Sequence, residues 1–354
     1  MSRPLFLRIV DELGKWSDYF TTKVDALNRQ GLIPLQKCTA AIRQLANGSA
    51  ADHLDEYLKL GESTALEAMK MFVQGVIEIF GGHYLRRPTV EDAERLLKIG
   101  ESRGFPGMFG SIDCMHWYWE RCPNAWKGQF TRSDQKVPTI ILEAVASHDL
   151  WIWHAFFGVA GSNNDINVLN QLTLFIDELK GHAPRVHYMV NGNQYNTGYY
   201  LADGIYPKWA VFVKSISLPI TEKDELFAQE QESKRKDIQR AFGVLRRRFC
   251  ILKRPARLYD RGELEKVIRA CIILHNMIVE DEKTEDNIEE NLDLNEAPST
   301  TTVEAPAFSP EDYVSFDKIL ENDVDIRDTS THKQLKKDLI EHIWRRSRAR
   351  PNIS

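Results

Sequence analysis

Residues 110–119 read GSIDCMHWYW, and they decide the fold. Apolar and aromatic side chains alternate there with small and polar ones, the period of a strand with one covered face. Acids are depleted in strands, so Asp113 in the middle of this run asks for a reason beyond packing. Working outward, residues 137–149 (VPTIILEAVASHD) form a β-branched run that ends in a turn, and residues 150–161 (LWIWHAFFGVAG) form a third apolar run of similar length. Three such runs in succession predict three consecutive antiparallel strands. The turn-rich RGFPGMFG, residues 103–110, is the approach to the first of them.

Downstream, residues 162–180 (SNNDINVLNQLTLFIDELK) predict a helix with Asn164 or Asp165 near its start. Residues 187–207 (HYMVNGNQYNTGYYLADGIYP) hold one or two strands and a loop, with Asp203 at the mouth of the run YYLAD. In residues 224–249 the apolar Ile238, Phe242, Leu245 and Phe249 recur at helical spacing, so this segment predicts a long helix, and residues 263–282 predict a last one. Upstream, residues 34–48 predict a helix ending at Asn47-Gly48, and residues 52–80 predict two more, broken near Gly61, with Ser63 or Thr64 as the cap of the second. Residues 89–99 add another helix. The expected class is α/β: an RNase H-like core with a mixed sheet flanked by helices, plus an N-terminal helical domain. The division that follows is a helical, helix-turn-helix-compatible domain over 1–100 and a core over 104–281. An acidic disordered linker over 282–310 and a helical basic tail over 311–354 complete it.

The formal net charge of −5 conceals a strong polarity along the chain. Residues 234–257 carry ten Lys or Arg against one acid, Asp237, whereas residues 280–296 carry nine acids against one Lys. The first composition suits phosphate contact and the second a solvated linker. The C-terminal HKQLKKDLIEHIWRRSRAR is a second basic cluster, suited to a nuclear address or to phosphate contact. No run approaches the ~18 apolar residues of a membrane span, and the first sixteen residues contain acids where a signal peptide has an unbroken apolar stretch, so the expectation is an intracellular chain with no membrane. Five scattered cysteines with no C-x-x-C pair predict reduced thiols, and the spacing of Cys114, His116 and Cys122 does not suit a tetrahedral zinc site.

Cleavage of a phosphodiester by this fold needs two divalent metals roughly 4 Å apart, held by carboxylates on adjacent elements. Asp113 and Asp203 are the acids at strand positions. Five ordered blocks, GSIDCMHW, SNNDINVL, VNGNQYNTGYYLADGIYP, RKDIQRAFGVLRRRF and ACIILHNMIVEDE, resemble the signature blocks of plant Harbinger transposase-derived nucleases of the DDE type. The resemblance implies a Mg²⁺- or Mn²⁺-dependent DNA endonuclease with its first catalytic Asp at Asp113 and its second at Asp203. It also implies a separate Myb- or SANT-type DNA-binding partner, and a place in the nucleus or the cytoplasm.

At the third position the family block reads Glu, and here stands Gln239, with thirty-five residues between it and Asp203. A glutamine offers a metal one neutral carbonyl oxygen and cannot act as a base, so cleavage is expected to fall sharply. Asp237 is about 200° away around the helix and Glu232 two turns back, so neither replaces the missing acid. Asp165 is a further candidate ligand, or the N-cap of the helix after it. Arg235 and Arg246 are expected to flank the site on the exposed helix face, with Gly243 leaving room for a close approach. Arg235, Arg246, Arg247, Arg248, Lys253 and Arg254 are the expected phosphate contacts, and one or two of Arg246, Arg247 and Arg248 could instead pair with acids of the core. Tyr195, Tyr199, Tyr200 and Trp209 are candidate base-stacking residues whose ordinary role would be core packing. The alternative to a nuclease is a catalytically inactive DNA- or chromatin-binding or protein-interaction factor on the same fold.

Overall fold

The computed structural model describes residues 1–48, 58–132, 136–162, 174–286, 301–308, 312 and 314–349. The chain opens with helices α1 (Arg3–Trp16), α2 (Pro34–Asn47), α3 (Glu62–Tyr84) and α4 (Val90–Ser102). Then come β1 (Met108–Tyr118), α5 (Asn124–Phe130), β2 (Thr139–Ala146), β3 (Ile152–Ala160), α6 (Ile176–Lys180), β4 (Arg185–Val190), β5 (Asn193–Tyr195), β6 (Tyr199–Ala202) and β7 (Phe212–Lys214). The last elements are α7 (Glu222–Arg248), α8 (Arg261–Asp286), β8 (Thr302–Glu304), α9 (Phe316–Arg327) and α10 (Thr329–Ala349).

The main sheet has the order β3-β2-β1-β6-β7. The three expected strands pair antiparallel, and β6 and β7 extend them in parallel with β1. Gly110 is required by the close approach of β2, because a Cβ at that position would lie 2.5 Å from the carbonyl oxygen of Ala146. α7 crosses the sheet over β1 and β6. It starts at a capping box in which Thr221 and Asp224 satisfy each other's backbone N–H groups, and it buries Phe227, Ile238, Ala241, Phe242 and Leu245. Beside it, α8 covers β2 and β3. There the amide of Asn276 behaves as an extra strand residue: Oδ1 accepts from Ile152 N at 2.9 Å and Nδ2 donates to Ile152 O at 2.8 Å.

The N-terminal helices are not a separate module, because α1 and α3 share one continuous core with α8 and this face of the sheet, through Ile9, Leu13, Phe72 and Val76. α2 ends as expected at Gly48, in the left-handed conformation. α3 begins one or two residues before the expected cap: Gly61 is its N-cap and makes no side-chain bond.

The region expected to hold one or two strands and a loop holds three strands. β4 and β5 form a hairpin whose turn residues, Asn191 and Gly192, both have positive φ, 52° and 83°. β8 pairs antiparallel with β4. That strand falls inside the stretch read as a disordered linker, and α8 also runs into it as far as Asp286, so the 282–310 boundaries are corrected on both sides. Residues 329–349 of the basic segment form α10, which is no tail. Leu335, Leu339 and Ile343 of α10 pack with Phe105, Tyr188 and Phe227. Among the described residues no helix is long and apolar enough to cross a membrane.

Candidate functional site

The parallel pairing of β1 with β6 sets Ser111 opposite Leu201. Asp113 lies two residues past Ser111 within β1 and Asp203 two past Leu201, just beyond the end of β6, and the charge of Asp203 acts on Asp113. α7 is fixed over that point by two polar ties. Ile238 N donates to Ser111 Oγ at 3.0 Å, and the buried Gln231 donates from Nε2 to Ala202 O at 3.1 Å and to Val213 O at 3.0 Å. The second tie holds the backbone next to Asp203. Beyond it, Lys214 at the end of β7 donates to Gly204 O at 2.8 Å and Tyr206 O at 2.6 Å, so a cation also braces the loop that follows Asp203.

Gln239 reaches the same point from α7, and its Nε2 donates to Asp113 Oδ2 at 3.0 Å. Arg235, one turn earlier, directs Nη1 toward the same oxygen at 3.8 Å and bonds Glu232 through Nη2 at 3.2 Å. Burial raises the pKa of Asp113, and the charge of Asp203 adds to the rise. The Gln239 amide, the Cys114 backbone N–H and the Arg235 guanidinium oppose it without reversing it. Two carboxylates and one guanidinium leave the pocket a single net negative charge, where a third acid would leave two. Among the described residues no group of three or more His, Cys, Asp and Glu side chains could hold a metal ion. Carboxylate oxygens are the donors a hard divalent cation prefers, and Asp113 and Asp203 are the two carboxylates at this point; Gln239 brings no charge and presents an N–H to the site.

Arg235 is not on the exposed face with Arg246: it is 7% exposed, under the helix. Arg248 is half-buried and joined to Glu282 and to His275, so it too is committed within the fold. Arg246, Arg247, Lys253 and Arg254 are exposed, and no carboxylate of the described residues pairs with them. Asp237 faces away from the site, as its helical angle requires, and is buried between Arg103 (2.6 Å) and Arg240 (2.5 Å). Asp165 lies outside the described residues.

Tyr195 and Tyr199 are buried, while Tyr200 packs at a tilt and Trp209 edge-on against Phe175, so this group lines the core. Cys114 and His116 make bonds to Tyr206 and Thr139, and none of the five cysteines is in a disulfide. His275 is buried, with Nε2 at 2.8 Å from Leu150 O. It closes α8 against the sheet, as does Asn276. Sequence reasoning missed three residues here. Lys214 closes an apolar run as a lone cation, Gln231 occupies the buried stripe seven residues before Ile238, and Lys236 is an exposed cation between Arg235 and Gln239. Spacing alone pointed to each of them.

A family model described as plant transposon protein matches residues 82–286, more than half of the chain. Two curated proteins of Arabidopsis thaliana are similar to it. One, named protein ALP1-like, is 25% identical over 69% of this chain and 60% of its own length. The other, named protein antagonist of like heterochromatin protein 1, is 24% identical over 72% of this chain and 65% of its own length. The chain thus spans less than two thirds of either relative. No solved structure gives a significant match. The matched region begins in α3 and runs through the whole sheet, α7 and α8, and so contains Asp113, Asp203 and Gln239; the protein belongs to the plant transposon protein family, a Harbinger-derived transposase family.

Proposed function

We propose that this chain is a transposase-derived DNA-binding protein on an RNase H-like DDE core, whose metal-dependent cleavage is attenuated by Gln239. Three antiparallel strands extended in parallel by two more, with α7 laid across the junction, support that core. The observation that carries the functional reading is the Gln239 amide donating to Asp113, where a nuclease site needs a third carboxylate. Asp113 and Asp203 would hold one Mg²⁺ or Mn²⁺ ion. A bound divalent cation supplies Lewis acidity and an activated water to phosphodiester hydrolysis. Arg235 then balances charge beside Asp113, and Gln231 and Lys214 keep Asp203 in register.

DNA would lie along the exposed cations Arg246, Arg247, Lys253 and Arg254, held by phosphate contacts with little sequence information. Arg235 and Arg248 would contribute through the fold. A Myb- or SANT-type partner would supply the sequence reading, and the nucleus is the compartment proposed, with the cytoplasm second. The name of one Arabidopsis relative, an antagonist of a heterochromatin protein, favours a second reading of the same site: a chromatin factor that binds without cutting.

Mn²⁺ binding measured by electron paramagnetic resonance tests the metal reading. The wild type is expected to bind one Mn²⁺, Asp113→Ala none, and Gln239→Glu a second. Two ions in the wild type, or none in any variant, would contradict it.

A further inference from the structure

α7 is a 27-residue helix, and Gly243 lies inside it, more than a turn before its end. Glycine is the least helix-favouring residue after proline, so an interior glycine needs a reason. Conformation supplies none, since Gly243 has no positive φ. Packing supplies none either: a Cβ built there would meet nothing within 4 Å, and the residue is exposed. Gly75 of α3 shows the contrast, because a Cβ at that position would lie 2.3 Å from Leu13 Cδ2.

The helical angles of α7 place Lys236, Gln239, Gly243, Arg246 and Arg247 within a stripe about 100° wide. All five are exposed. Gln239 marks the Asp113 end of that stripe, and Arg246 and Arg247 lie one turn beyond Gly243. The lone position without a side chain is thus a notch between the carboxylate site and two cations that no carboxylate of the described residues pairs with.

We infer that the sugar-phosphate backbone of bound DNA crosses α7 at Gly243, which is bare so that the strand can approach the helix main chain between Gln239 and Arg247, with Lys236 as a further phosphate contact. This rests on the DNA-binding reading and adds the path of the strand and two residues to it. Arg246 and Arg247 lend the positive field, and Gly243 fixes the distance of approach.

The test uses the full chain and a 30-base-pair duplex followed by fluorescence anisotropy, beside thermal melting of each variant. Gly243→Ala is expected to raise Tm by about 1–3 °C and to weaken DNA binding about 3-fold. Gly243→Gln should keep or raise Tm and weaken binding about 10-fold or more, and Lys236→Ala should lower the salt slope by about 1. Opposite signs for stability and binding are what a structural glycine would not give. Wild-type binding by Gly243→Gln, or a lower Tm in either Gly243 variant, would overturn the inference. If Gly243→Gln binds normally while an Arg246→Ala, Arg247→Ala double variant loses binding, only the inference falls. A wild type that binds no duplex removes the DNA reading as well.

Discussion

Exchanging one carboxylate oxygen for an amide nitrogen removes a full negative charge and adds two donors, and at Gln239 one of those donors points at Asp113. The effect on a hard divalent cation is larger than the change in shape, because oxygen charge is what holds such an ion. His275 has a different use for its polarity. Nε2 faces the Leu150 carbonyl and Nδ1 faces Arg248, so the neutral ring with its proton on Nε2 satisfies both. Burial pushes its pKa down to about 4. The unfolded chain then binds the proton more readily, so His275 stabilises the fold fully above pH ~6.5 and loses that contribution as pH falls toward 4. Stability should drop by up to about 3 kcal/mol across that window, with His154, likewise lowered by burial, acting in the same direction. Urea midpoints at pH 7.5 and 5 are expected to differ less in His275→Gln, and equal midpoints in the wild type would refute the assignment. Asp113 and Asp203 were legible as acids at strand positions. The buried place of Arg235 was not, because position along a helix gives an angle and not the depth of the neighbouring sheet.

At the scale of elements, α7 was legible from its apolar spacing, and so were the three antiparallel strands from theirs. The β4–β5 hairpin carried a signal that its block of aromatic residues obscured, the Asn191-Gly192 pair flanked by strand-forming residues. β8 carried none, since three residues are too few to show a period and Thr302–Glu304 is a strand only because β4 offers it an edge. The link between elements that matters most for the site is Gln231, which bonds two strands from one helix. Gln231→Leu fills the same volume but leaves two buried carbonyls without a donor. It is expected to cost about 2–4 kcal/mol in urea unfolding and to weaken Mn²⁺ binding through movement of Asp203. A change below about 0.5 kcal/mol would mean that β6 and β7 hold Asp203 without α7.

Across the whole molecule, the helical, core and basic parts read from composition prove continuous in packing. α1 and α3 complete the core beneath α8, and α10 completes the one under β4. Composition marks where charge changes along a chain, and it does not mark which apolar faces meet. The same limit applies to charge: a chain of formal net charge −5 carries a stripe of exposed cations on α7 beside a pocket of two carboxylates. That juxtaposition is what the proposed reading, a nuclease site reduced by one acid, rests on. Nicking of supercoiled DNA in Mg²⁺ or Mn²⁺ by the wild type, Gln239→Glu and Gln239→Glu with Asp113→Ala tests it most directly. Restoring the third acid should raise the rate about 100-fold or more, a barrier change of about 2.7 kcal/mol, and removing Asp113 should abolish the gain. Cleavage by Gln239→Glu no faster than by the wild type would contradict the reading of Gln239 as the residue that disarms this site.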